Sequence, residues 1–130
     1  MPVPQRLESG QRLANNDLLN DFLATPTWQT TGPLTALAGG ALTAATPRLL
    51  RGVNVVSIVA TTGDSVVLRK AMAGAIVVVR NAGANAMQVF GEGSDTINGT
   101  AGATGISVAS GKSVIFFATS NSAWFSLLSA

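Results

Sequence analysis

The side chains able to do chemistry are few in this 130-residue chain. There is no His and no Cys. That removes the usual general base, the Ser-His-Asp and Cys-His nucleophile arrangements, and imidazole or thiolate metal ligands. Six carboxylates remain: Glu8, Asp17, Asp21, Asp64, Glu92 and Asp95. Glu92 and Asp95 share one loop, as a glycosidase pair or a weak Ca²⁺ site would require. Both lie in Gly91-Glu92-Gly93-Ser94-Asp95, where Asp and Gly serve a turn, and the spaced acidic ligands of a dedicated calcium loop are missing. Ser110-Gly111-Lys112-Ser113 imitates the end of a phosphate-binding loop, but Ile106 stands where the first glycine belongs. A strand-like Val-Ile-Phe-Phe follows it instead of a helix. Asn98-Gly99-Thr100 matches a glycosylation acceptor and reads more simply as an Asn-Gly turn. The expectation is a protein that is not an enzyme, with no cofactor and no metal.

The aromatic side chains sit among apolar neighbours. Phe22, Trp28, Phe90, Phe116, Phe117, Trp124 and Phe125 are all of them. A sugar platform sets exposed rings among polar and acidic partners; these rings suit a core or a contact between protomers. Charge points the same way. Asp, Glu, Lys and Arg make up 11% of the chain, against about 25% in an ordinary soluble domain. A surface so poor in charge implies that part of it does not face water, and so an oligomer. The eight Lys and Arg residues are scattered, and the net charge is only +2. A nucleic-acid binder clusters its cations, so nucleic acid is not an expected partner. No run of about 18 apolar residues suggests a membrane span. Met1 to Arg6 lacks the layout of a signal peptide, so a cytoplasm-like compartment is expected.

Three zones would position these residues. Within residues 1–25, Asn15-Asn16-Asp17 offers helix-capping chemistry. Leu18, Leu19, Phe22 and Leu23 then form one apolar face, and Pro26 ends it. This predicts a short helix, either laid on a neighbour as an arm or capping its own core. Residues 26–47 read as an uncharged extended connector with one anchor, Trp28, and an edge strand over Leu42 to Thr46. Residues 48–130 read as a body of short β-branched runs broken by turn residues every 8–12 positions or so. The domain division is therefore 1–47, helix and arm, and 48–130, β body. The fold class expected is all-β, an antiparallel β-sandwich or jelly roll of about seven to eight strands. Ile76 to Val79, Val114 to Phe117 and Trp124-Phe125 are apolar on both strand faces, whereas one wet face imposes alternation.

Residues 60–128 carry a family resemblance. Gly63-Asp64-Ser65-Val66-Val67-Leu68, Gly74 to Asn81, Gly83 to Phe90, Asp95 to Gly99, Gly111 to Ala118 and Ala123-Trp124-Phe125 are similar to modules of small tailed-bacteriophage virion proteins. Residues 1–50 carry none of it. The resemblance implies a capsid cement or decoration protein on the virion surface, made in the host cytoplasm. Its implied partners are itself, as homodimer or homotrimer, and the major capsid protein. Phe116, Phe117, Trp124 and Phe125 are the candidates for core or self-association. Leu18, Leu19, Phe22 and Trp28 are the candidates for a capsid-contact arm. The alternative is a head- or tail-fibre domain that binds a host receptor or glycan.

Overall fold

The computed structural model describes residues 30–130, and these are all-β. Two sheets share the strands. The larger one has the order β1 (Thr30–Thr35), β3 (Val53–Ile58), β5 (Ile76–Asn81), β10 (Ser113–Ser120), β11 (Ala123–Leu128), β7 (Thr96–Ile97) and β8 (Thr100–Ala101). The smaller one has the order β2 (Arg48–Leu49), β4 (Ser65–Leu68), β6 (Met87–Phe90) and β9 (Ile106–Val108).

Up to β6 the chain visits the two sheets alternately. β1, β3 and β5 are hydrogen-bonded in parallel, and so are β2, β4 and β6. Register partners in these ladders lie 19 to 25 residues apart along the chain. The architecture is a β-solenoid of stacked coils, and this corrects the antiparallel sandwich or jelly roll expected from the sequence. Parallel neighbours need a long crossover connection, usually a helix. Here the crossover is itself a strand of the opposite sheet: β4 lies between β3 and β5. The coil then ends. β10 runs antiparallel against β5, β9 runs antiparallel against β6, and β10–β11 closes as a hairpin.

Inward side chains from both sheets form one core. Val56, Val77, Val79, Val114, Phe116 and Trp124 come from the larger sheet, and Leu49, Val66, Leu68, Met87, Val89 and Val108 from the smaller; all are buried. Burial of each is worth roughly 1.5–3 kcal/mol before entropy is counted. The corners are fixed by amides. Asn81 Nδ2 donates to the carbonyls of Asn85 and Val108, both at 2.8 Å, and its Oδ1 accepts the Gly83 N–H at 2.9 Å. Asn85 Nδ2 donates to the Val59 and Ala60 carbonyls of the coil before, both at 2.9 Å. The two coils meet so closely at Gly83 that a Cβ there would lie 2.7 Å from the Val59 nitrogen.

Residues 42–46, expected as an edge strand, form a turn instead. The Thr43 N–H donates to Thr46 Oγ1 at 2.9 Å, and that hydroxyl donates to the Ala41 carbonyl at 3.1 Å. Short hydroxyl side chains that bond nearby backbone compete with a ladder, and here they win. Thr30–Thr35, part of the expected connector, is an edge strand of the larger sheet. The short helix expected before Pro26 lies outside the described residues.

Candidate interaction surface

Glu92 and Asp95 do not converge. Glu92 pairs with Arg48, whereas the fully buried Asp95 accepts from Lys70 and from the Ala71 N–H at 2.7 Å. A glycosidase needs two carboxyl groups facing one cleft; these two serve different partners. Among the described residues no three acidic side chains gather as metal ligands. The phosphate-loop imitation is a turn. The Gly111 N–H donates to the Asn81 carbonyl at 2.9 Å and the Lys112 N–H to the Ala109 carbonyl at 3.1 Å, so neither amide is left for an anion.

Asp64 is a corner fastener. Its carboxylate accepts the Thr61 N–H at 3.0 Å, the Thr61 hydroxyl at 3.0 Å and the Gly39 N–H at 3.3 Å. These donors, the Thr61 backbone first, hold its pKa below the ordinary aspartate value of 3.8 and outweigh the opposing effect of burial. A depressed carboxylate pKa stabilises the fold fully above the unfolded-chain value. The contribution is lost as pH falls through the folded value. Melting temperature followed from pH 7 downwards should therefore fall more steeply below about pH 4 in the natural protein than in Asp64→Asn. Parallel acid limbs would show that Asp64 is not the group responsible.

The surface that does stand out is the outer face of the larger sheet. Strand alternation sends Val77, Val79, Val114, Phe116 and Trp124 inward. It sends their neighbours outward: Ile76 is 44% exposed, Ile115 42%, Phe125 37% and Leu127 62%. The register joins them into rows. Ile76 lies beside Phe117, and Phe117 beside Phe125. Val53, Val78, Ile115 and Leu127 run side by side across four strands. The Phe117 and Phe125 rings stack with centroids 6.0 Å apart. On this face Arg80 stands at the margin, level with Ser113, and its Nη1 donates to the Gly111 carbonyl at 2.7 Å. The smaller sheet differs: its outward Val67 and Phe90 are already buried within the chain.

No family model, curated protein or solved structure matches this chain.

The four aromatic candidates for core or self-association thus divide into two pairs. Phe116 and Trp124 are fully buried core; Phe117 and Phe125 lie together on the outer face. Sequence reasoning missed Ile76, Val78, Ile115 and Leu127 as their neighbours. The signal was present in the two-residue alternation about Phe116 and Trp124, since one inward position fixes the direction of every other residue in a strand. The arm candidates Leu18, Leu19, Phe22 and Trp28 lie outside the described residues.

Proposed function

We propose that this chain is a non-enzymatic structural subunit of a tailed-phage virion, a cement or decoration protein that binds the outside of the capsid and stabilises it. The carrying observation is the contiguous apolar, almost uncharged face of the larger sheet. Faces of that kind mark interaction sites with protein or membrane. The similarity of residues 60–128 to virion modules supplies the setting. A shell presents the same attachment point many times, so a rigid subunit that contacts both the shell and its own copies gains from avidity without a large single interface. The partners in this reading are the major capsid protein and the chain itself.

Co-sedimentation with capsids stripped of the subunit tests the reading. The full chain should bind and raise the temperature at which the shells open. A variant lacking residues 1–28 should keep a cooperative β melt while its co-sedimentation drops to background. Failure of the full chain to bind overturns the capsid role; undiminished binding by the shortened chain overturns the arm.

A head- or tail-fibre domain is the second reading, and the parallel coils favour it, because stacked rungs build a shaft. It predicts trimers and saturable binding of the isolated protein to host-surface glycans.

A further inference from the structure

We propose that the outer face of the larger sheet is closed by the same face of a second copy, in a two-fold symmetric, sheet-on-sheet dimer centred on Phe117 and Phe125. This rests on the assembly role above and names the occupant of that surface. Three observations select a second copy. The first is the absence of charge. Within the strands β1, β3, β5, β10 and β11 the one charged residue is Arg80; it sits at the margin, engaged by a carbonyl, so these strands offer an acidic or basic partner little to pair with. Laid on itself, it brings apolar rows together with no like charges at the centre.

The second is size. Five adjacent strands, β1, β3, β5, β10 and β11, make the face. At about 4.8 Å between strands and about 3.3 Å per residue, it covers on the order of 500 Å² per copy. Two copies then bury about 1,000 Å², the lower bound for a specific interface, so a dimer in the micromolar range is expected. The third is that the outward apolar residues of the smaller sheet, Val67 and Phe90, are spent inside the monomer. With one apolar sheet face per copy among the described residues, an isologous contact uses it up and closes at two. That selects the homodimer over the homotrimer.

Sedimentation equilibrium of the full chain from about 1 to 100 μM should give a monomer–dimer equilibrium. Phe125→Asp and, separately, Leu127→Lys should each raise the dissociation constant roughly 30-fold or more, with the cooperative melt retained, because both side chains point out of the fold. The chain has no cysteine, so single introduced thiols report which faces meet. Ile76→Cys, beside Phe117 on the outer face of the larger sheet, should yield a dimer with a thiol cross-linker of about 10 Å reach, the spacing of packed sheets. Ser107→Cys, on β9 of the smaller sheet, should not. A monomer at every concentration, a trimer, or a dimer that ignores both substitutions and cross-links through Ser107→Cys overturns the proposal. None of these measurements involves a capsid. A monomer that binds shells ends the dimer and leaves the capsid role standing; a dimer that ignores shells does the opposite.

Discussion

Trp124→Ala is expected to remove about 3–5 kcal/mol of folding stability, the range for truncating a buried aromatic ring. Trp124 is fully buried and is the largest such side chain among the described residues. Its strand joins two others: residue 124 lies beside Ala118 of β10 and Ile97 of β7. Against a total of about 5–15 kcal/mol for a domain of this kind, the loss is a large share. The indole Nε1 has no acceptor among the described residues, so the ring stabilises by packing and its N–H opposes burial. Trp124→Phe keeps most of the packing and removes that donor, and should cost under about 1.5 kcal/mol. Urea unfolding followed by circular dichroism separates the two. Equal losses would show that the N–H matters more than the shape of the ring.

The second large effect is expected where two corners are tied together. Asp95 is fully buried, accepts the Ala71 N–H at 2.7 Å and pairs with Lys70, whose side chain is 60% exposed. Lys70 also donates to the Asn121 carbonyl at 3.0 Å, and the Ala73 N–H donates to Asn121 Oδ1 at 3.0 Å. The link between β4 and β5, the turn before β7 and the β10–β11 hairpin meet there. Asp95→Ala orphans a buried N–H and should cost about 3 kcal/mol. Lys70→Met strands a buried carboxylate without its cation and should cost a similar amount. Adding Asp95→Asn to Lys70→Met should then recover stability, because a neutral amide still accepts the Ala71 N–H and no charge is left buried. Simple summation of the separate Asp95→Asn and Lys70→Met losses in a double-mutant cycle would refute the coupling.

Most strands were legible one by one. Val53, Ser65, Ile106 and Trp124 each open or lie within a strand close to the expected bounds. Asn98-Gly99 makes the β7–β8 turn with φ of 53° and 80°, the left-handed pair that an Asn-Gly hairpin demands. What could not be read was which strand lies beside which. Short turn-rich links suggest hairpins, and hairpins suggest antiparallel neighbours. Residues 59–64 and 69–75 instead carry the chain across to the other sheet, and nothing local in Thr61-Thr62-Gly63-Asp64 distinguishes a corner from a reversal. The unbroken apolar run Ile76 to Val79 was the available clue. It fits a strand flanked by neighbours on both edges and apolar on both faces, with Val77 and Val79 in the core and Ile76 on the outside.

The candidate surface was legible in kind and not in membership. Low charge and doubly apolar strands called for a covered exterior, but four aromatic residues were grouped without regard to the side each would take. Phe116 and Phe117 are adjacent and face opposite ways. A single buried anchor would have sorted them.

The coil spacing has a bearing on how such a body can lengthen. Residues 53–77 carry the chain once around, and each position in β3 meets its counterpart in β5 with an unchanged offset of 25. A tandem copy of that stretch would insert one more storey, about 4.8 Å tall, leaving the first strand and the reversed closing strands as they are. Height is thus set by the number of storeys, and the closing strands act as a roof that adding storeys never has to rebuild.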